Sequence, residues 1–581
     1  MRELVRKLFR WTLLPVLRFF YPMQVLGAEN LPREGGVLLV SNHVSYIDAF
    51  ILTAASSRPV RFVIYENFLK VKAFSWFLEL FGAVPISPTK AKEAIRQTAE
   101  AINEGTVVCI FPEGQLTRMG VLNDFKKGYE LIARKAQCPV VPVYMDGLWG
   151  SIFTYERGRY FNKWPRSFRR RLRIAFGEPV DAKTATGPWL REALHRLGHH
   201  AFAARPELEK SLAEVAIRSL KRNPHAPCLV ERSQKGERIF TRLQVLTTVT
   251  ALAQRWRRVL PEGETRIGVW LPPGFPPALM NLALVLSGKV PVNLAFDPET
   301  VRKQIDTAGL STVITSQAFA KLLDGVEANF IDMKNELAAI NTPWIPLARL
   351  RNRWEPTGLS VRRHLSGVAL PEAEAVAYVS PEHGLVISRS RDLIANSAQI
   401  HSTGFLAADA PIFCEEPLTS AAGQAFGCWV PVLNGIPVET RPFSRQDTPG
   451  DLAFAEAECF VGGPALLEQF ESAAPDGVHS FLLFDRESNL VRVTQATTIL
   501  GTTLADDASG QVLALSMRHP EAQLVGHQHQ IGHRADSHGR LLPGIAIQPG
   551  KVMRLTTPSG KTIDLAGVEI DADGLLGRAG D

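Results

Sequence analysis

The sequence predicts two consecutive α/β domains, and three observations predict it. At 581 residues the chain is too long for one hydrophobic core, since single cores stop growing at roughly 250–300 residues. Over residues 22–180 short apolar runs alternate with helix-like stretches, the pattern of an α/β layer fold. A charged helical stretch, 189–222, follows, and from 224 onward a second α/β pattern runs to the end. The expected domains are therefore 1–205 and 206–581.

The N-terminus is apolar but carries Arg2, Arg6, Lys7, Arg10 and Arg18. That excludes a clean signal-peptide core and fits an amphipathic interfacial helix, with Trp11, Phe19, Phe20 and Tyr21 at headgroup depth. No run reaches the roughly 18 uncharged apolar residues that a spanning helix needs; residues 278–286 are shorter and read as a core helix. In the first domain the strand-like runs are 35–43, 106–111, 139–144 and 172–176, with a helix over 90–104.

Composition is that of a folded protein, 45% hydrophobic and 21% charged, which excludes disorder for most of the chain. The net charge of +7 points to anionic partners. Residues 157–173 hold eight Lys and Arg and no acid, and we read this stretch as facing an anionic bilayer surface rather than nucleic acid. The six cysteines form no CxxC pair and read as buried thiols of a reducing compartment. His527, His529, His533 and His538 come without Cys or paired acids, so no metal is expected.

The chemistry begins at Asn42-His43-Val44-Ser45-Tyr46-Ile47-Asp48. A His five residues ahead of an Asp, across the start of a helix, lets the carboxylate fix the imidazole tautomer and support the imidazolium formed on proton transfer. No serine nucleophile accompanies them, so the nucleophile can be the substrate's own hydroxyl, attacking an acyl thioester. Downstream, Phe111-Pro112-Glu113-Gly114 closes one apolar run and Pro139-Val140-Val141-Pro142-Val143 forms another.

Together NHxxxxD, FPEG and the VPV-type run resemble the glycerolipid acyltransferase family that includes the lysophosphatidate acyltransferases, over Val25 to about Pro179. The resemblance implies a glycerolipid acyltransferase-type α/β domain and an O-acyltransferase activity. It implies His43 as base, Asp48 as its orienting group, and Asn42, Glu113, Gly114 and Arg118 at the acceptor. No metal or cofactor is implied; acyl-CoA or acyl-carrier protein is a co-substrate. Two departures stand out. The second block, 81–88, lacks an Arg, and Leu116 occupies the place of the first Arg after FPEG, leaving Arg118 or Lys90 to compensate. The forms FPEGQLTR and PISPTK are more similar to the bifunctional acylglycerophosphoethanolamine acyltransferase/acyl-carrier-protein synthetases, which implies a lysophospholipid acceptor with a diester headgroup.

The second half resembles the AMP-forming acyl-activating enzymes over 237–297, 384–400, 429–435, 461–465 and 538–547. Its expected fold is an α/β acyl-activating-enzyme-like domain lacking the C-terminal lid. The phosphate loop of that family would be Gly-rich with a Lys, because backbone N–H groups and an ammonium meet the phosphates. Here the stretch from Tyr378 to Val386 has one Gly and no Lys, and Leu504 stands where a metal-supporting Glu belongs. The expected protein is a peripheral acyltransferase on the cytoplasmic face of a bacterial membrane, with a degenerate second domain. The alternative is a bifunctional enzyme that also activates fatty acid with ATP.

Overall fold

The computed structural model describes residues 12, 15–66, 82–117, 120–155, 161, 168–233, 236–341, 343–365, 371–380, 383–403, 406, 411–440, 457, 459–462, 480–483, 500–506, 511–517, 537–548, 552–566, 568–570 and 576–578. The chain forms two compact units, one of Met1–Arg205, Ser402–Phe405 and Arg540–Asp581, the other of Pro206–His401 and Leu406–Gly539.

In the first unit the strands are β1 (Met23–Leu26), β2 (Val37–Ser41), β3 (Val60–Tyr65), β4 (Val84–Ile86), β5 (Val107–Ile110), β6 (Val140–Asp146) and β7 (Leu172–Phe176). They lie in the order β1-β7-β6-β2-β5-β3-β4. The ladders are parallel apart from β6–β7. Helices α1 (Asp48–Ala55), α2 (Ala91–Asn103), α3 (Gly128–Ala136) and α4 (Gly187–Ala203) cover the sheet. Strands β2, β5 and β6 are wholly buried and, apart from Ser41 and Asp146 at the carboxyl ends of β2 and β6, apolar, as suits central strands. Two apolar cores lie on the two faces. One holds Leu38, Val40, Val108 and Ile110, the other Val37, Leu39, Val107 and Cys109, following the alternation of a strand. The four apolar runs named above are β2, β5, β6 and β7; β1, β3 and β4, which carry Gln24, Arg61 and Pro85, lack that signal.

The first and last segments of the acyltransferase resemblance are neighbours. Strand β1 pairs with β7 in parallel, Val25 opposite Ile174. Gly27 then turns with φ +65°, and a Cβ there would lie 2.3 Å from the Phe176 carbonyl oxygen, so only glycine fits.

A division of the chain at 205/206 does not account for the last segment, because Arg540–Asp581 belongs to the first unit. Strands at Ala546–Gln548, Val552–Thr556 and Thr562–Ala566 form an antiparallel sheet. The loop before it docks on α4: His195 Nδ1–H donates to the Ile545 carbonyl (3.0 Å) and His199 Nδ1–H to that of Gly544 (3.3 Å). Gly544 has φ +82°, and a Cβ there would sit 2.7 Å from the Phe202 side chain. Gly544→Val in the full chain therefore combines backbone strain with a clash, an expected cost of about 2–4 kcal/mol. Limited proteolysis checks it: the variant's C-terminal segment is cut faster while Pro206–His401 keeps its resistance.

The second unit carries a sheet of strands at 266–269, 290–293, 312–315 and 329–332, mutually parallel, extended by 374–380 and 384–389. The 278–286 run lies in a helix, Phe275–Ser287, buried from Pro277 onward. A second sheet includes Pro227–Ser233, Ile412–Cys414, Val438–Thr440 and Cys459–Gly462. Glu374–Ser380 and Gly384–Arg389 form an antiparallel hairpin, with Ser380 opposite Gly384.

Candidate active site

The site lies where β2 and β5 end. Chemistry in a parallel sheet gathers outside the carboxyl ends of its strands, and β2 is central, flanked by β5 and β6. Past Ser41 the chain leaves the sheet, and residues 43–48 curl around one buried carboxylate. Asp48 opens α1 and is fully buried, while the His43 side chain is 22% exposed. Asp48 Oδ2 accepts from His43 Nδ1–H (2.9 Å), Val44 N–H (2.7 Å) and Ser45 N–H (2.9 Å). Three donors on one oxygen fix the carboxylate, and the carboxylate fixes the imidazole. With Nδ1 carrying its hydrogen, Nε2 carries the lone pair, which is the tautomer of a general base. Asp48 Oδ1 is buried and has no hydrogen-bond partner among the described residues.

The His43 ring also lies flat on Phe111, centroids 4.1 Å apart and planes at 11°. Phe62 continues the stack 6.3 Å beyond Phe111 at 12°. Neither aromatic was singled out from the sequence, although Phe111 opens the FPEG block. Cys109, one strand over, cannot serve as a nucleophile. Its thiol is wholly buried, and burial first and the Asp48 charge second push it well above the ordinary range, so it stays protonated.

Glu113 has a different place from the expected one. It is 2% exposed. Its Oε1 accepts from His43 N–H (2.8 Å) and its Oε2 from Asn123 N–H (2.9 Å). The carboxylate thus ties the loop after β2 to the loop after β5 rather than lying open to an acceptor. The Thr117 N–H closes the same junction on the His43 carbonyl (2.9 Å). Asn42 is likewise consumed by the fold. Its Nδ2–H donates to the Met145 carbonyl (3.0 Å) and its Oδ1 accepts from Met145 N–H (2.8 Å), extending the β2–β6 ladder by one side chain. Both placements have the same cause: a buried polar group at a strand end must find partners, and here the backbone supplies them.

Gly114 is exposed and keeps φ +65°, with its N–H on the Phe111 carbonyl (3.1 Å), so the FPEG block is a tight turn beside His43. A Cβ at Gly114 would lie 3.5 Å from Lys126 Cγ, so the exposed Lys126 flanks that turn. Lys126 was not singled out from the sequence. Arg118 lies outside the described residues. Lys90 pairs with Glu66 at the surface (3.2 Å). Leu116 is buried and gives the site no charge. No group of His, Cys, Asp and Glu able to hold a metal ion occurs among the described residues; His527, His529 and His533 fall outside them. All six cysteines are free and buried.

Comparison with known proteins places both units. Residues 22–146 match the model of the Acyltransferase family. The chain is 30% identical over 201 residues to a 1-acyl-sn-glycerol-3-phosphate acyltransferase of Pseudomonas aeruginosa, covering 33% of this chain and 70% of that one. It is 31% identical over 132 residues to the chloroplastic 1-acyl-sn-glycerol-3-phosphate acyltransferase BAT2 of Brassica napus, covering 22% of this chain and spanning only 38% of that relative's length. Among solved structures, VinN in complex with L-aspartate aligns with a TM-score of 0.50 at 17% identity, over 64% of this chain and 99% of VinN. That likeness shows the fold alone, an acyl-activating-enzyme-like α/β domain. The His43–Asp48 pair, the FPEG turn and the length of the bacterial match lead to one conclusion: the chain belongs to the acyltransferase family that includes the 1-acyl-sn-glycerol-3-phosphate acyltransferases.

Proposed function

We propose that the protein transfers a fatty acyl chain from an acyl thioester, carried by acyl-carrier protein or CoA, to the free hydroxyl of a lysophospholipid. One observation carries this reading: His43 is held through Nδ1 by Asp48, leaving Nε2 as a base at the carboxyl end of a central strand. His43 takes the proton of the acceptor hydroxyl as its oxygen attacks the thioester carbonyl carbon. The tetrahedral adduct collapses, the C–S bond breaks, and the leaving thiolate takes the proton back from His43. The acid–base cycle closes on the protein's own groups, so no metal or cofactor is called for. The activity for which the relatives are named, acyl transfer to 1-acyl-sn-glycerol-3-phosphate, supports the class of acceptor. Lys126 beside the FPEG turn offers a cation for an acceptor phosphate, and the FPEGQLTR and PISPTK forms favour a diester headgroup.

The test is a panel of lysophospholipids against acyl-CoA and acyl-carrier protein, with the full chain and product identification by mass spectrometry. Formation of the two-chain lipid from at least one pair, with diester acceptors preferred, supports the reading. Turnover confined to lysophosphatidate would reject the headgroup assignment.

We further propose that the second unit does not form acyl-adenylate. Where a phosphate loop would be needed, residues 378–386 hold no Lys, and Tyr378–Ser380 pairs directly with Gly384–Val386 as antiparallel strands. Fatty-acid-dependent pyrophosphate release from ATP would favour the bifunctional alternative instead.

We place the enzyme at an anionic membrane surface, peripherally and on the cytoplasmic face. No helix among the described residues is long and apolar enough to cross a membrane. The first unit exposes Phe19, Phe20, Phe161 and Phe168, and the Arg169 guanidinium lies 5.7 Å over the Phe19 ring. Exposed aromatics beside arginine suit a headgroup layer. Co-sedimentation with anionic vesicles that does not weaken as salt rises would contradict an electrostatic contribution.

A further inference from the structure

We propose that Phe111, backed by Phe62, is a positioning residue for the catalytic imidazole: an aromatic shelf that sets the plane of the His43 ring. The inference rests on the acyl-transfer reading for its kinetic part, and on geometry alone for its structural part. The three rings follow the strand order. His43 comes just after β2, Phe111 immediately after β5, and Phe62 lies within β3, and these strands are neighbours in the sequence β2-β5-β3. Adjacent strands are about 4.8 Å apart, close to a stacking distance, so rings rising from successive strands form a column without further construction. The observed spacings are 4.1 Å for His43–Phe111 and 6.3 Å for Phe111–Phe62, with interplanar angles of 11° and 12°.

The need for such a shelf follows from the Asp48 contact. A single hydrogen bond at Nδ1 fixes one point of the imidazole but leaves the ring free to tilt about it. Asp48 holds the near edge; the flat face of Phe111 removes the remaining freedom and so directs the Nε2 lone pair. The shelf also closes one face of the imidazole, so the acceptor hydroxyl meets the ring edge on. When His43 becomes an imidazolium, the negative face of the Phe111 ring lies against it, and that attraction grows with the charge, favouring the state formed during proton transfer. Phe62 is 6% exposed and gives Phe111 a rigid back.

The experiment uses the full chain in four forms: wild type, Phe111→Leu, Phe111→Met and Phe111→Tyr. Two readouts are taken. The first is steady-state kinetics with acyl thioester and lysophospholipid. Loss of the shelf in Phe111→Leu and Phe111→Met is expected to lower kcat about tenfold or more, because small misplacements of a catalytic group are costly. KM for the acceptor should stay within about twofold, and Phe111→Tyr, which keeps the flat face, should retain most of kcat. The second readout needs no turnover: the Cε1–H resonance of His43 in histidine-labelled protein, assigned with His43→Gln. It should be displaced upfield by the stacked ring in wild type and Phe111→Tyr, and move towards the free-imidazole position in Phe111→Leu and Phe111→Met. Phe62→Leu supplies an independent variant, touching neither His43 nor Asp48, with a smaller effect of the same kind. An unchanged His43 resonance in Phe111→Leu overturns the shelf. So does an unchanged kcat where the resonance has moved, or a kcat that falls equally in Phe111→Tyr. Absence of acyl transfer in the wild type would reject the reaction instead, leaving the resonance to judge the shelf.

Discussion

His43→Ala is expected to lower the rate of acyl transfer by about 100-fold or more, the usual worth of a positioned general base. The lipid hydroxyl is a poor nucleophile until its proton has somewhere to go, and Nε2 of His43 is the acceptor that the fold prepares. The side chain is partly exposed and its ring ends the aromatic column, so truncation should leave the fold in place. Kcat measured alongside a thermal melt checks this. A second signature follows from the same chemistry. Added imidazole should restore part of the activity of His43→Ala by entering the vacated space beside Phe111, and should leave the wild type unaffected.

Asp48→Asn is expected to cost a comparable factor, about 100-fold or more, for a reason specific to this loop. In serine-protease triads the same change lowers kcat about 10⁴-fold by favouring the wrong imidazole tautomer. Here the three donors converge on Oδ2, and Oδ1 is buried without a partner among the described residues. An Asn that keeps its oxygen facing the donors puts an NH2 into the Oδ1 position, where nothing accepts from it, a penalty of about 1–3 kcal/mol. The flipped Asn points its NH2 at the N–H groups of Val44 and Ser45, and at an Nδ1 that must then give up its hydrogen. Its proton moves to Nε2, and the base is lost. In either rotamer the negative charge that supports the imidazolium is gone. The expected result is a large fall in kcat together with a lowered melting temperature; a stable, fully active Asp48→Asn would contradict the role assigned to the carboxylate.

The parts of the site that the sequence made legible are local ones. His43 and Asp48 are five residues apart, so helical and turn geometry is enough to bring them together, and the FPEG turn declares itself through Gly114. The partners of Asn42 and Glu113 are not local. Asn42 meets Met145 across 103 residues, and Glu113 meets His43 across 70. Those meetings depend on which strands lie side by side, and no periodicity states that. The place of Asn42 and Glu113 at the acceptor was what the family resemblance implies; the fold in addition gives both residues backbone partners. Phe62, Phe111 and Lys126 were missed for a related reason: an aromatic in an apolar run looks like core, and a Lys in a loop looks like surface. For the fold, the strands of the four apolar runs were visible, whereas β1, β3 and β4, interrupted by Gln24, Arg61 and Pro85, were not. Arg540–Asp581 was read as the end of the second domain because residues 538–547 resemble the acyl-activating enzymes, whereas His195, His199 and Phe202 on α4 give it a place in the first unit.

With His43 as the base, an acyl group passes from sulfur to a lipid oxygen without other reagents. The most direct measurement incubates the full chain with an acyl thioester and a lysophospholipid, with neither ATP nor metal added. Released thiol is followed by a thiol-reactive dye and lipid by mass spectrometry. Thiol and two-chain phospholipid are expected to appear one for one, and neither should form if the lysophospholipid is left out. Thiol released without acylated lipid, or no reaction with any acyl thioester, would contradict it.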